Sequence, residues 1–414
     1  MLDIQIIRDN PKELKAAIKK RGIDVDFGAA VKLDKEKREV QTELENLRAE
    51  KNRASKEIGK VPAGERPALI AATNKIGGKI ADLEAKFAKL DEELFEFLSA
   101  LPNVPLPEVQ AGDKEQNKVI KTFGQKPKFD FTPKAHVELC TALGLIDYER
   151  AARMSGSGSW VYTGMGARLE WALLNYFIDY HLSNGFTFIM PPHLLNYESG
   201  YAAGQFPKFK DDVFAVEDKF LLPTAETALI NMHRGEIIPK EKLPIKYVGY
   251  SPCYRREAGS YRASERGMIR GHQFNKIEMF VYCLPEESPR FFTELVSHAE
   301  KLVEGLGLHY QTVALAAGDV SASMQKTYDI EVYIPSMGGY KEVSSASTAG
   351  DYQARRANIR TKAADGTRYV HTLNASGLAT SRIVPAIVEQ FQTADGHVRV
   401  PSVLQKYLGG VTII

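Results

Sequence analysis

The residues best suited to chemistry lie in one stretch of the chain, 253–280, which reads CYRREAGSYRASERGMIRGHQFNKIEMF. The second half of this stretch alternates with the period of a β-strand, so one face is apolar and the other carries Phe274, Lys276 and Glu278. The apolar face is expected to pack on a core. The opposite face combines an aromatic ring, a cation and a carboxylate, which would form the floor of a polar substrate site.

The first half of the same stretch predicts the partner strand of a hairpin. Arg255 and Glu257 are two residues apart, so we expect them to share a face of that strand. The connecting loop is rich in arginine, and its arginines are Arg256, Arg262, Arg266 and Arg270. Several guanidinium groups beside an aromatic ring are typical of a site that binds a polyanion. The alternative is a surface hairpin whose charges form salt bridges with one another.

Two long helices are predicted between residues 31 and 101. Mostly apolar positions recur there at alternating spacings of four and three residues, which is the pattern of a heptad seam. The seam positions are Leu33, Lys37, Val40, Leu44, Leu47, Lys51, Ala54 and Ile58, then Ile76, Ile80, Leu83, Phe87, Leu90, Leu94, Phe97 and Leu101. Gly59, Pro62, Gly64 and Pro67 interrupt the pattern, so we predict an antiparallel coiled-coil hairpin about 40–45 Å long.

Charge along this hairpin is uneven, although the whole chain has a net charge of only +2. Residues 48–79 hold eight basic and three acidic side chains, whereas residues 80–100 hold two basic and six acidic ones. The near-neutral total by itself suggests no nucleic-acid partner. The local excess predicts instead that the tip of the hairpin binds a phosphate backbone. A solvated coiled coil whose charges only maintain solubility is the alternative.

The organisation of the chain follows from these patterns. We predict an N-terminal arm over residues 1–103, a linker with few periodic features over 104–118 and a second domain over 119–414. In the second domain, short alternating strands mix with helices, which indicates an α+β fold with a mainly antiparallel sheet. The helices are expected near residues 167–183, 289–306 and 381–392.

Several protein classes are disfavoured by what the sequence lacks. It contains no P-loop and no GxGxxG, HExxH or GxSxG motif. No segment approaches the roughly 18 apolar residues of a membrane helix, and the charged N-terminus does not resemble a signal peptide. Cys140, Cys253 and Cys283 are scattered, so we expect no disulfide framework, no structural zinc and a reducing, cytoplasmic location.

The arginine-rich hairpin resembles motif 2 of the class II aminoacyl-tRNA synthetases. Its sequence resembles the form of this motif that is found in the seryl-tRNA synthetase family. Other segments resemble further parts of that family in the expected order. They are 166–192 (motif 1, a long helix and a strand ending in proline), 223–231 (a serine-binding Thr-x-Glu loop), 341–356 (a Glu-Val-Ser-Ser segment for ATP) and 371–392 (motif 3). The N-terminal hairpin resembles the arm with which the family grips tRNA, so the resemblance extends over essentially the whole chain.

This resemblance implies a two-step reaction, in which L-serine and ATP form seryl-adenylate and the seryl group then passes to the 3′ end of tRNA(Ser). It implies that the catalytic side chains are Arg255, Arg270 and Arg382, which would stabilise charge on the phosphates. Glu257 would accept a hydrogen bond from the adenine amino group, and Phe274 would stack on the adenine ring. The implied ATP-binding residues are Arg255, Arg256, Glu257, Arg270, Phe274, Glu342, Val343, Ser344, Ser345 and Arg382.

The same resemblance implies that Glu342 and Ser345 hold Mg²⁺, a hard cation that prefers oxygen ligands. The implied serine-binding residues are Thr224, Ala225, Glu226, Arg255, Glu278, Asn374 and Ser376. The implied tRNA-binding residues on the arm are Arg48, Lys51, Arg53, Lys56 and Lys60. The expected partners are ATP, L-serine, tRNA(Ser), tRNA(Sec) where one exists, and a second copy of the chain in a homodimer built on motif 1.

Some residues differ from those that are usual at the corresponding positions of the family's motifs. They are Arg256, Ala346, Ala375 and the pair Thr380-Ser381. None of these departures removes a charged residue of the implied site. Two other functions remain open on the same scaffold, an amino acid–carrier protein ligase and a non-catalytic tRNA-binding paralogue. The intact arm argues against the first, and the complete set of charged site residues argues against the second.

Overall fold

The computed structural model describes residues 1–257, 266–363 and 366–414, and Arg262 of the predicted loop lies outside them. The described chain divides into two compact units. The first unit consists of Met1–Lys19 and Ile23–Pro102, and the second consists of Lys20–Gly22 and Asn103–Ile414.

The first unit consists of helices, which are α1 (Ile4–Asp9), α2 (Pro11–Lys19), α3 (Gly28–Ile58) and α4 (Arg66–Ala100). Helices α3 and α4 run antiparallel, because Lys37 pairs with Asp91 and Arg48 pairs with Glu84. Their seam buries Val40, Leu44, Ile80 and Leu90, so the predicted coiled-coil hairpin is confirmed. Pro67 was expected in the turn but lies in the first turn of α4, where its missing N–H breaks no helical hydrogen bond.

Residues 104–118, predicted as a linker, are hydrogen-bonded within the second unit. The amide of Leu106 donates to Gln325 O at 3.1 Å, and the amide of Ala317 donates to Gln110 O at 2.8 Å. The last residue of the segment, Lys118, begins the first strand. The segment lacks helical or strand periodicity because its backbone bonds to loops elsewhere in the unit rather than to a regular ladder.

The strands of the second unit are short except in its main sheet. Those described are β1 (Lys118–Phe123), β2 (Ile146–Asp147), β3 (Val161–Tyr162), β4 (Thr187–Ile189), β5 (Leu194–Asn196), β6 (Ala215–Val216), β7 (Lys219–Leu221), β8 (Ile237–Ile238), β9 (Ile245–Tyr254), β10 (Gln273–Cys283), β11 (Tyr310–Ala314), β12 (Lys326–Ile334), β13 (Gly339–Gly350), β14 (Arg360–Ala363), β15 (Gly366–Tyr369) and β16 (His371–Ala379).

The main sheet has eight described strands in the order β1-β11-β12-β13-β16-β10-β9-β4. Every neighbouring pair in it is antiparallel except β4 and β9, which run parallel. This arrangement confirms the predicted α+β class with a mainly antiparallel sheet. Strands β9 and β10 form the predicted hairpin, with Gln273 opposite Tyr254 at the end next to the connecting loop.

The described helices of the second unit are α5 (His136–Ala142), α6 (Tyr148–Ser155), α7 (Gly164–Ser183), α8 (Tyr197–Ala202), α9 (Glu226–Leu229), α10 (Ser288–Gly305), α11 (Tyr352–Ala357), α12 (Thr380–Gln390) and α13 (Ser402–Gln405). Helices α7, α10 and α12 lie where the sequence predicts them. Throughout the described chain, no helix has both the length and the apolar composition that crossing a membrane requires.

The core lies between one face of the main sheet and helices α7, α10 and α12. On β10 the apolar face predicted from alternation, Ile277, Met279 and Val281, is fully buried in this core. Phe177 of α7 and Leu302 of α10 pack in the same cluster. Burial of this face leaves the alternate side chains of β10 available for the opposite side of the sheet.

Candidate active site

A cavity of about 520 Å³ lies in the second unit, beside the strand face that carries the polar side chains of β10. Its walls come from β10, β13, β16, the first residues of α9 and α12, and several loops of the same unit. The sequence-predicted residues that line the cavity are Thr224, Glu226, Arg255, Glu257, Arg270, Phe274, Glu278, Glu342, Val343, Ser345, Asn374, Ser376 and Arg382. The fold therefore brings together side chains from segments more than a hundred residues apart.

Three sequence-predicted residues do not line the cavity. Ala225 is fully buried in a neighbouring apolar cluster. Arg256 turns away, because its Nη1 donates to Asp211 O at 2.9 Å. Ser344 is fully buried, and its hydroxyl donates a hydrogen bond to Ser376 O at 2.6 Å. It therefore fixes the backbone of a cavity residue without lining the cavity itself.

One end of the cavity is built around the buried carboxylate of Glu278. The ammonium of Lys276 forms an ion pair with this carboxylate and donates to Thr224 Oγ1 at 2.7 Å. Asn374 Nδ2 donates to Glu278 Oε1 at 3.1 Å, and the hydroxyl of Thr224 lies 3.4 Å from Glu278 Oε2. Each of these groups is at least nine-tenths buried, so their charges and dipoles act in a medium of low polarity.

A second carboxylate, Glu226, lines the same end of the cavity. Gln353 Nε2 donates to Glu226 Oε1 at 2.7 Å and also to Ala203 O at 3.0 Å. Burial of Glu226, followed by the nearby charge of Glu278, raises its pKa to about 7. Two carboxylates around one space, with one compensating lysine, leave a net attraction for a small cation such as an ammonium group.

The arginines line another part of the cavity. The guanidinium carbon of Arg255 lies 5.2 Å from the ring centre of Phe274, and its Nε donates to Pro223 O at 3.3 Å. Arg270 Nη1 donates to Glu257 Oε2 at 2.5 Å. Arg382 Nη1 donates to Glu342 O at 2.7 Å. These three cations on one cavity are suited to a ligand with several negative charges.

The prediction that Arg255 and Glu257 share a strand face was wrong in its local structure. Strand β9 ends at Tyr254, and Glu257 has a positive φ of 50°, so neither residue continues the pleat of the strand. The backbone N–H of Arg255 still donates to His272 O at 2.9 Å. Both side chains reach the cavity because the chain turns at this point, and not because of a two-residue period.

A β-bulge sets the relation between Glu342 and Ser345. Residues three apart in a regular strand point to opposite faces, yet both of these side chains line the cavity. Ile330 of β12 pairs with Ser344, and the next residue, Glu331, pairs with Glu342, which leaves Val343 as the extra residue. The bulge therefore shifts the alternation by one residue and brings the two oxygen-bearing side chains to the same side.

Asp329 lies behind these two residues and was not predicted from the sequence. It pairs with Ser345 across the β12–β13 ladder. Burial, together with the charge of Glu342, holds the pKa of the Asp329 carboxyl well above its usual range. Its Oδ1 atom is buried and has no hydrogen-bond partner among the described residues.

Other cavity residues were also missed by sequence reasoning. Lys276 belongs to the strand face that the alternation predicts as a substrate floor, but its contacts with Glu278 and Thr224 were not predicted. Ser321, Ser323 and Met324 come from the loop between β11 and β12, and Gln205 follows α8. No motif or period marks these four residues, because only the tertiary fold brings their segments to the cavity.

The basic residues predicted to bind tRNA lie in the first unit, on α3 and just beyond it. Arg48 donates to Glu84 Oε1 at 2.6 Å, and Lys60 donates to Glu57 Oε1 at 2.8 Å. Their side chains remain 56% and 68% exposed. Exposed ion pairs are weak, so both cations stay available to a stronger polyanionic partner.

Comparison with known proteins is consistent with this geometry. The family model of the Seryl-tRNA synthetase N-terminal domain matches residues 1–105, and that of the tRNA synthetase class II core domain (G, H, P, S and T) matches residues 208–391. The chain is 55% identical to Serine--tRNA ligase 2 of Clostridium acetobutylicum and 43% identical to Serine--tRNA ligase of Thermodesulfovibrio yellowstonii. Each alignment covers 99% of both proteins.

A solved structure supports the same relationship. The chain is similar to seryl-tRNA synthetase from Pyrococcus horikoshii, crystallised in complex with ATP, with a TM-score of 0.93 and 37% identity. The match covers 100% of this chain and 99% of the other. Both units of the chain, and not only its sheet, therefore have counterparts in that structure.

Proposed function

The chain belongs to the seryl-tRNA synthetase family of class II aminoacyl-tRNA synthetases, and we propose that it activates L-serine with ATP and transfers it to tRNA(Ser). The observation that carries the proposal is the single cavity that joins an acidic, hydroxyl-bearing end to a set of arginines. Such a cavity matches the two substrates of the first step, a small amino acid with a cationic ammonium group and a polyanionic nucleotide.

The acidic end of the cavity is the proposed serine site. Glu226 and Glu278 attract the ammonium group, while Thr224 and Asn374 offer hydrogen bonds to the amino acid. A site that hydrogen-bonds the serine hydroxyl disfavours alanine, because buried polar groups would lose a partner. Threonine is disfavoured by the size of its extra methyl group.

The arginines perform the charge stabilisation of the first step. An oxygen of the serine carboxylate attacks the α-phosphorus of ATP, the bond to the β-phosphate breaks, and pyrophosphate leaves. Arg255, which lines the cavity beside the serine site, stabilises the charge that develops on the α-phosphate. Arg270 and Arg382 bind the remaining phosphates, and Phe274 supplies a surface on which adenine stacks. No general base is required, because the attacking carboxylate is already ionised.

The second step transfers the seryl group. A hydroxyl of the 3′-terminal ribose of tRNA attacks the carbonyl carbon of seryl-adenylate, its proton is lost, and AMP leaves. The exposed cations of the hairpin, Arg48, Lys51, Arg53, Lys56 and Lys60, are proposed to bind the tRNA backbone. We extend the proposal to tRNA(Sec) where one exists, to a homodimer formed through α7 and β4, and to a cytoplasmic location, where these substrates occur.

The oxygen groups on β13 fit the divalent cation that such a reaction uses. Glu342 and Ser345 face the same cavity, and the buried Asp329 Oδ1 on the neighbouring strand, opposite Ser345, has no hydrogen-bond partner among the described residues. Hard oxygen donors of this kind suit Mg²⁺. Glu342 and Ser345 are proposed to hold the ion, which when bound neutralises negative charge on the phosphates of ATP.

The proposal is tested by ATP–pyrophosphate exchange with serine, alanine and threonine, followed by charging of tRNA(Ser). Exchange with serine that exceeds exchange with the other two amino acids, together with charging of the tRNA, is expected. Arg255→Ala should abolish exchange, whereas Arg256→Ala, one residue away but outside the cavity, should retain most of it. Transfer of serine to a carrier protein and not to tRNA would indicate the ligase alternative. Absence of exchange in the folded protein would indicate that the chain is a non-catalytic tRNA-binding paralogue.

A further inference from the structure

Arg21 is a buried cation that the proposed reaction does not use. It is 7% exposed, and among the described residues its guanidinium donates only to backbone carbonyl groups. Nε donates to Asn103 O at 2.9 Å, and Nη1 donates to Ala317 O at 3.1 Å and Val320 O at 2.8 Å. Nη2 donates to Met324 O.

No carboxylate of the described residues compensates the charge of Arg21. Burial lowers its pKa to about 10, so the guanidinium remains charged at neutral pH. A charge removed from water without a counter-ion persists only when fixed dipoles replace its hydration shell. The convergent carbonyl groups supply those dipoles, so the cation and the loop depend on each other.

Most of these carbonyl groups belong to one segment, the β11–β12 loop (residues 315–325). Asn103 binds the same loop, because its amide N–H donates to Ala322 O at 2.7 Å and its Nδ2 donates to Ser323 O at 2.9 Å. The carbonyl groups of the loop are thus bound by Arg21 and Asn103. Its side chains Ser321, Ser323 and Met324 line the cavity.

The β11–β12 loop adjoins the part of the cavity assigned to serine. A methyl group at Gly204 would lie 2.8 Å from Ser323 Cβ, so the two segments are in close contact. The next residue, Gln205, lines the cavity, and its Oε1 accepts a hydrogen bond from Thr227, the neighbour of Glu226. A shift of the loop therefore moves the surroundings of Glu226.

We propose that Arg21 is a positioning residue for the serine site, acting by fixing the β11–β12 loop. The path of the chain supports this role: residues 20–22 belong to the second unit, although segments of the first unit precede and follow them. This short segment places one arginine, whose side chain has five N–H donors, against a loop that is not part of a β-ladder. The inference rests on the proposed function.

The test measures KM for serine and for ATP, kcat, and the melting temperature in variants of the full chain. Arg21→Met should raise KM for serine by about tenfold, with a smaller change in KM for ATP, because the loop borders the serine end. Arg21→Lys should recover part of this loss, since an ammonium keeps the charge but reaches fewer carbonyl groups.

Lys20→Met is the matched control. Lys20 is the adjacent cation and also donates to backbone carbonyl groups, but these belong to Pro107 and Val109, outside the β11–β12 loop. Its KM for serine should stay within about twofold of the wild-type value. A folded Arg21→Met variant with the wild-type KM for serine, or an equal rise in Lys20→Met, would overturn the inference.

Asn103→Ala keeps the inference testable if Arg21→Met does not fold. This change removes the side-chain bonds to Ser323 O and to Ala349 O, while the backbone bond to Ala322 O remains, so a severalfold rise in KM for serine is expected. An unchanged KM would contradict the role of the loop. If the wild-type protein itself shows no serine-dependent exchange, the proposed function is refuted. This outcome is distinguishable from an unchanged KM in the variants, which would refute only the role of Arg21 and the loop.

Discussion

Lys276 Nζ donates a hydrogen bond of 2.7 Å to Thr224 Oγ1, so a buried cation fixes the direction of a hydroxyl group in the cavity. Because Thr224 accepts from Lys276, its own O–H must point elsewhere, and Glu278 Oε2 lies 3.4 Å away. The same ammonium forms an ion pair with Glu278. Lys276 therefore determines the direction in which the Thr224 hydroxyl donates its hydrogen bond, and it contributes a positive charge beside the proposed serine site.

Replacing Lys276 with methionine is expected to destabilise the second unit by about 3–5 kcal/mol, since the Glu278 carboxylate would be left buried without its partner. Urea unfolding followed by tryptophan fluorescence measures this, because Trp160 and Trp171, the two tryptophans of the chain, both lie in the second unit. The double variant Lys276→Met, Glu278→Leu should regain most of the stability and none of the serine activation. Equal stability of the single variant and the wild type would contradict the buried pair.

The raised pKa of Glu226 predicts a pH dependence of stability. Its pKa of about 7 in the folded chain exceeds the ordinary value of 4.5, so the folded state binds the proton more tightly than the unfolded state does. The contribution of Glu226 to the free energy of unfolding is therefore most favourable at low pH. It decreases by about 3 kcal/mol as the pH rises from about 4.5 to about 7.

Glu226→Gln is the control for that prediction, because glutamine does not titrate. The difference in free energy of unfolding between wild type and variant should change between pH 5 and pH 8, with the wild type losing stability relative to the variant. Parallel stability curves over this range would show that Glu226 has an ordinary pKa.

The hairpin cations are expected to act on tRNA and not on serine activation. A variant with Arg53, Lys56 and Lys60 changed to alanine should raise KM for tRNA by at least about tenfold and reduce its salt dependence. Pyrophosphate exchange should be unchanged, since the cavity lies in the second unit. A parallel loss of exchange would contradict this division of labour.

Glu342→Gln should raise the Mg²⁺ concentration for half-maximal exchange by about tenfold, because a neutral amide is a poorer ligand for a hard cation. Mn²⁺ binding in the presence of ATP, followed by electron paramagnetic resonance, provides a readout independent of turnover. Glu331→Gln is the matched control: Glu331 pairs with Glu342 across the ladder but accepts from Gln311 at 2.7 Å and does not line the cavity. Equal effects of the two substitutions would place the ion elsewhere.

Local patterns in the sequence were enough to predict several elements. The heptad spacing predicted α3 and α4 because each seam side chain must meet the opposite helix at regular intervals. The alternation on β10 separated Ile277, which is buried in the core, from Lys276 and Glu278, which line the cavity. Both patterns are short-range consequences of helix and strand geometry, so they can be read without knowing the fold.

Other features of the site depend on contacts that no local pattern encodes. The bulge at Val343 brings Glu342 and Ser345 to one face, and the turn after Tyr254 takes Arg255 and Glu257 out of the strand. In both cases an irregularity of the backbone overrides the period of the strand.

The sequence by itself determined the α+β class, the coiled-coil hairpin and the family, since periodicity and motif order are properties of the chain alone. Only the tertiary structure decided that Arg256 leaves the cavity, that Lys276 pairs with Glu278 and Thr224, and that Arg21 binds the loop beside the serine site. The reason is physical: burial and hydrogen bonding between distant segments depend on three-dimensional packing, and a buried polar group takes whichever partners that packing supplies.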